Sequence, residues 1–163
     1  MKVYQNIDQF LKEKEMFKDS PVYMTSGGFD PLHIGHLRCI LGTVDLAEED
    51  GGYVVIMVNG DGFLRRKKGK PFMNQEERAE IIAGIRGVDA AIIWDDGTQT
   101  VVGAVERLKP NFFTKGGDRA KPEEVAEWNI CQKVGCEVLF NVGGGKIQSS
   151  SWLIKSSEES SDG

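Results

Sequence analysis

The sequence predicts an α/β fold, a Rossmann-like open sheet of five parallel strands with helices on both faces. Short apolar runs alternate with amphipathic stretches along most of the 163 residues, the pattern of repeated strand–helix units. One run, Tyr53–Val58, is apolar without a break, as a strand buried on both faces of a parallel sheet must be. Glycine-rich turns follow several runs, at the strand ends where an open sheet presents its ligand site.

Taken in order, Ile7 to Phe17 spaces Ile7, Phe10, Leu11 and Phe17 for one helical face, and Pro21 stops that helix. Val22–Thr25 is the first strand, closed by the turn Ser26-Gly27-Gly28. A helix is expected from about Gly35 to Glu49, broken by Gly51-Gly52, before the second strand at Tyr53–Val58. Asn59 to Lys70 reads as a polar, basic loop. The next helix begins near Asn74, which forms a capping signal with Glu77; Ile81, Ile82 and Ile85 give its apolar face. Ala90–Trp94 is the third strand, Val101–Leu108 a helix stopped at Pro110, and Phe112–Thr114 the fourth strand. A helix from Pro122 to Val134 has proline in its first turn and Gly135 at its end, and Glu137–Asn141 is the fifth strand. A last helix is expected from the serines at Ser149–Ser151. The chain thus divides into an N-terminal helical extension (1–20), one α/β domain (21–155) and a disordered tail (156–163) rich in serine and acid.

Composition narrows the function. A net charge of -5 supplies no global field for a phosphate backbone, so a nucleic-acid partner is not expected. No apolar run approaches the roughly 20 residues that span a bilayer, so no membrane partner is expected either. Cys39, Cys131 and Cys136 form no CxxC pair and read as free thiols in a reducing cytoplasm; no protein-held metal is expected.

The strongest motif is Gly27-Gly28-Phe29-Asp30-Pro31-Leu32-His33-Ile34-Gly35-His36, which holds both histidines of the chain. Glycines after a strand let the backbone come close to a ligand, and the helix that starts there turns free N–H groups toward the same point. His33 and His36 project from one side of a helical turn, with Gly35 leaving room between them for a phosphate chain. A second feature, Arg65-Arg66-Lys67-Lys68-Gly69-Lys70, puts five cations in six residues and fits a polyanionic ligand. The sequence does not say which of Lys67, Lys68 or Lys70 meets phosphate; Lys68 is the catalytic candidate. A third, Lys115-Gly116-Gly117-Asp118, ends the fourth strand with a tight turn between opposite charges. A fourth, Gln148-Ser149-Ser150-Ser151, offers hydroxyls and amides at an expected helix start, either for phosphate or as a plain cap.

The first motif resembles the nucleotidyltransferase superfamily marked by histidine, a variable residue, glycine and histidine after a glycine-rich first strand. The resemblance implies NTP binding across the motif, with His33 and His36 stabilising the triphosphate and Asp30 beside the reacting groups. It assigns nucleotide contacts to Gly28, Phe29, Gly35, Asp61, Lys115, Gly116, Asp118 and the Gln148–Ser151 segment. Arg78 matches a position where the superfamily often carries arginine; a surface partner on its own helix is the other reading. Class I aminoacyl-tRNA synthetases share the HIGH tetrapeptide, but the chain is short for them and has no KMSKS-like segment.

Lys115–Asp118 and Lys121-Pro122-Glu123-Glu124 are similar to heptose-1-phosphate adenylyltransferases, a resemblance that runs from about Tyr23 to Lys155. Glycerol-3-phosphate cytidylyltransferase ranks second, followed by the adenylyltransferases of nicotinamide mononucleotide and phosphopantetheine. Ile147 and Gln148 before the serines depart from the family pattern, which leaves room for a non-catalytic nucleotide-binding domain. The expected ligands are ATP or CTP with Mg²⁺ and a sugar phosphate, and the family resemblance implies a homodimer or larger assembly.

Overall fold

The computed structural model describes residues 2–13, 15, 19–117 and 125–149, with only the backbone of Gln148. A seven-stranded sheet forms the centre, built of β1 (Val3–Tyr4), β2 (Val22–Gly27), β3 (Tyr53–Asn59), β4 (Ala90–Trp94), β5 (Phe112–Thr114), β6 (Glu137–Phe140) and β7 (Gln148–Ser149). Their order is β1-β4-β3-β2-β5-β6-β7. All neighbours are parallel except β6 and β7. The five expected strands are all present, and two residue pairs at the sheet's edges add β1 and β7. Pairs that short show no periodicity in a sequence; they exist because a neighbouring strand offers them a ladder.

Helices α1 (Ile7–Glu13), α2 (Ile34–Asp50), α3 (Asp61–Lys68), α4 (Gln75–Ala83), α5 (Val102–Leu108) and α6 (Trp128–Val134) connect the strands. Ile40, Val44 and Ala47 of α2 and Ala79 and Ile82 of α4 pack on one face, against Val54, Ile56 and Val58. Phe10 of α1, Val105 and Leu108 of α5 and Cys131 of α6 pack on the other, against Val55 and Met57. Every residue of β3 is buried, as its unbroken apolar run requires. Tyr4, Ile7 and Phe10 join the second cluster, so the N-terminal segment builds the core and an edge of the sheet.

Asn74 caps α4 as its spacing predicts: its side-chain oxygen accepts the Glu77 N–H at 2.8 Å. Residues 61–68, expected as loop, form α3 instead. Phe63 and Leu64 are buried and anchor it, while Arg65 to Lys68 fill its last turn, where cations meet the negative end of the helix dipole. The last helix, expected from Ser149, is not seen where the chain is described: Gln148 and Ser149 lie antiparallel to β6. The rest of that helix and the tail lie outside the described residues.

Strand order fixes where a ligand fits. From β2 the chain runs through α2 to β3 on one side, while β5 lies on the other. The order therefore reverses between β2 and β5, and the crevice beyond their carboxyl ends is the place such sheets reserve for ligands.

Candidate active site

A cavity of about 290 Å³ opens at that reversal. Thr25 and Ser26 from β2 and Thr114 from β5 line its floor; Phe29, His33 and His36 stand on one side, Lys115 and Gly116 on the other. Beneath it, hydroxyls join α2 to the two strands. Thr43 Oγ1 lies 2.8 Å from both the Cys39 carbonyl and Thr114 Oγ1, and Thr25 Oγ1 donates to the Thr114 carbonyl at 2.8 Å.

The two histidines form one unit at the start of α2. His33 Nδ1 accepts the Gly35 N–H at 3.0 Å, and His36 Nδ1 accepts the His33 N–H at 3.4 Å. An imidazole nitrogen that accepts carries no proton, so each neutral ring holds its hydrogen on Nε2. The rings stack with centroids 3.6 Å apart, and the edge contact with Phe29 sets the His36 ring from the side at 5.3 Å. Burial, then the neighbouring His33, holds the His36 pKa below its usual value and favours the neutral ring. The spacing that suggested two co-facing histidines is therefore realised as a reciprocal cap that orients two Nε2–H donors. A Cβ on Gly35 would stand 3.0 Å from His33 Cε1, so the glycine makes room for the histidine ring itself. Likewise a Cβ on Gly28 would meet Leu64 of α3 at 2.9 Å; that close approach is made by protein.

Asp30 faces inward, its side chain only 2% exposed. Its carboxylate accepts the N–H groups of Phe72 and Met73 at 2.7 Å each and pairs with the Lys68 ammonium at 2.7 Å. Burial alone pushes its pKa up, but Lys68 and the two amides prevail and hold it below the ordinary carboxylate range. Asp30 thus ties the histidine motif to α3 and places Lys68 beside it. Arg66, in the same basic run, pairs with Asp95 and donates to Gln99 Oε1 and the Thr98 carbonyl. The basic run is divided between scaffold and site.

Arg78 corrects both sequence readings. It is 0% exposed, so it is neither a surface partner nor open to a nucleotide. Its guanidinium donates to the carbonyls of Met73, Gly28 and Asn59 and pairs with the Asp61 carboxylate at 2.7 Å. Arg78 therefore acts through the backbone it holds, at the ends of β2 and β3, while the Asp61 carboxylate that pairs with it stays 19% exposed. Ser149 also differs from its expected place. Its hydroxyl donates to the Glu137 carboxylate, and its backbone pairs with Leu139, next to the carboxyl end of β6. Asp118, Ser150 and Ser151, expected at the nucleotide, lie outside the described residues.

Sequence reasoning missed Thr25, Ser26, Thr114 and Cys39 as cavity walls. Cys39 follows His36 by one helical turn, and that spacing alone could have found it. Burial pushes its thiol pKa up, against the nearby hydroxyls of Thr25 and Thr43. Lys115 reaches back over the Phe113 ring, its Nζ 5.4 Å from the ring centroid.

Residues 24–142 match the sequence profile of a family described as cytidylyltransferase-like, which spans the motif, the cavity walls and β6. The chain belongs to the cytidylyltransferase-like family. Among similar curated proteins is a bifunctional protein HldE of Koribacter versatilis, 34% identical over 117 residues, covering 68% of this chain and 23% of that protein. The bifunctional protein HldE of Geobacter metallireducens is 33% identical over 128 residues, covering 77% of this chain and 25% of the relative. The chain thus spans about a quarter of the length of these relatives. The crystal structure of a lipopolysaccharide core biosynthesis protein from Thermoplasma volcanium superposes with a TM-score of 0.58 at 27% identity, covering 74% of this chain and 93% of that one. These matches agree with the Rossmann-like sheet and with the resemblance drawn from the motifs. Among the described residues of this cytidylyltransferase-like chain, no helix is long and apolar enough to cross a membrane.

Proposed function

We propose that the chain transfers a nucleoside monophosphate from an NTP to a sugar phosphate with release of pyrophosphate, and that the preferred pair is ATP with heptose 1-phosphate. The observation that carries this is the stacked His33–His36 pair, whose Nδ1 atoms are both engaged by backbone N–H groups. Two neutral Nε2–H donors at the strand-order reversal, with Lys115 across the cavity and Lys68 beside the motif, suit a triphosphate.

In this reading the acceptor's phosphate oxygen attacks the α-phosphorus in line. A new P–O bond forms as the α–β bridge breaks, and pyrophosphate leaves with the bridging oxygen. The acceptor phosphate is already ionised, so no protein nucleophile is needed and catalysis is positioning and charge stabilisation. His33 and His36 donate to oxygens that gain charge in this step. Lys68, held by Asp30, neutralises the approaching acceptor phosphate, and Lys115 the departing side. Mg²⁺ is expected with the NTP. Among the described residues no group of three or more metal-ligating side chains stands together, and Asp30 is already engaged. The ion would be held by phosphate oxygens and water. The preference for a heptose rests on the resemblance at Lys115–Asp118.

The test is pyrophosphate release with Mg²⁺, pairing ATP or CTP with heptose 1-phosphate or glycerol 3-phosphate. Release with ATP and the heptose alone is expected. Release with CTP and glycerol 3-phosphate would overturn the choice of substrates and leave the histidine roles. Silence in every pairing while NTP still binds would refute transfer to these acceptors.

A further inference from the structure

Among the described residues, the buried side-chain polar atoms without a hydrogen-bond partner are two: the Asn59 side-chain oxygen and the Trp94 indole nitrogen. Each residue is 8% exposed. Leaving a buried polar group unmade is expensive, so such atoms are rare and call for an explanation. These two are also related. Asn59 ends β3, Trp94 ends β4, and they are partners in the parallel register. Parallel neighbours in register point to the same face, and alternation along β3 puts Asn59 with Tyr53, Val55 and Met57, opposite the face that packs on α2.

One orphan accepts and the other donates. A phosphate offers only acceptors at neutral pH and would meet the amide oxygen unfavourably. A hydroxyl donates once and accepts, which satisfies both atoms together. We infer that Asn59 and Trp94 form a recognition site for a hydroxyl group of the acceptor, so that a polyol or sugar phosphate is the class of molecule this end of the sheet is built to take.

The position fits. The Asn59 carbonyl shares the Arg78 guanidinium with the Gly28 carbonyl, so the residue is anchored directly beside the histidine motif. Gly60 N–H closes the turn onto the Trp94 carbonyl at 2.8 Å, which locks the two strand ends together. Adjacent strands lie roughly 4.8 Å apart, so the pair sits about one and two strand spacings from β2, on the side away from the Lys115 cavity wall. Lys68 lies near the start of that path. A sugar phosphate with its phosphate there extends its hydroxyls toward β3 and β4, while the nucleotide occupies the crevice between β2 and β5. Trp94 also borders a second recess of about 480 Å³ with Gln75, Asp95, Asp96 and the paired Asp8 and Arg107, whose polar groups suit a polyhydroxylated molecule.

This inference rests on the nucleotidyl-transfer reading for the name of its ligand, but its test does not need turnover. The full chain carries three tryptophans, Trp94, Trp128 and Trp152. With ¹⁵N-labelled indoles, the Trp94 N–H signal is assigned by its loss in Trp94→Phe. The probes are heptose 1-phosphate, glycerol 3-phosphate and inorganic phosphate at matched ionic strength. The Trp94 signal is expected to move saturably with a hydroxylated phosphate and to stay still with inorganic phosphate. Asn59→Leu is expected to weaken that binding roughly tenfold, the effect of one lost hydrogen bond to a ligand. A Trp94 signal that ignores both hydroxylated probes, or moves equally with inorganic phosphate, overturns the inference. A moving signal without pyrophosphate release refutes the transfer reading and leaves this site standing; release with a still signal does the reverse.

Discussion

Replacing Arg78 by methionine keeps most of the side-chain volume and removes the guanidinium at the centre of the strand ends. The structure shows what is lost: an ion pair with Asp61 at 2.7 Å and bonds to the carbonyls of Met73, Gly28 and Asn59. Breaking a buried ion pair on one side costs about 3–5 kcal/mol. Unpaired carbonyls add to this, but Asp61 is 19% exposed and water can reach it, which reduces the penalty. These contributions overlap, so about 4 kcal/mol is the expected loss, or a fall in Tm of roughly 8–16 °C for a chain of this size. Urea titration followed by circular dichroism measures it directly. Arg78→Lys keeps the charge but has a single amine in place of a planar fork, so an intermediate loss is expected. Turnover of the folded Arg78→Lys protein should fall as well, because Gly28 leads directly into the histidine motif. A loss below about 1 kcal/mol for Arg78→Met would show that the guanidinium is not the fastening described here.

Other consequences can be measured on the same protein. His33→Ala or His36→Ala should lower pyrophosphate release on the order of a hundredfold, and rates near wild type would remove the histidines from the reaction. Gly35→Ala places a Cβ 3.0 Å from the His33 ring, so turnover should fall about tenfold or more; unchanged kinetics would mean that the ring's place is not fixed there. Asp30→Asn frees Lys68, and the expected result is a raised KM for the acceptor with NTP binding kept; equal effects on both substrates would count against this role. The His36 pKa is lowered from 6.5 on folding, so between the two values the unfolded chain binds more protons. Stability is therefore full above about pH 6.5 and falls as pH drops toward the folded value, a slope that His36→Gln should reduce in pH-dependent urea titrations.

Local periodicity and the glycine-rich motif determined the alternation of strands and helices, the five main strands and the pair of histidines, because these features are written within windows of a few residues. The Asn74 cap and the doubly buried β3 were legible for the same reason. Tertiary structure alone decided the rest. β1 and β7 are too short to show a period and form on ladders supplied by distant residues. Helix α3 looked like a loop because only Phe63 and Leu64 mark its buried face. Lys68 is the catalytic candidate in the basic run, but its ion pair with Asp30, far away in sequence, is visible only in the folded chain. Arg78 matches a position where the superfamily often carries arginine, with a surface partner as the other reading; carbonyl groups brought together by the strand order claim it instead. The orphaned atoms of Asn59 and Trp94 likewise exist as a pair only once β3 lies beside β4. A sequence states which groups a residue carries, but whether those groups meet a partner depends on strand order and burial, which the packing of the whole chain sets.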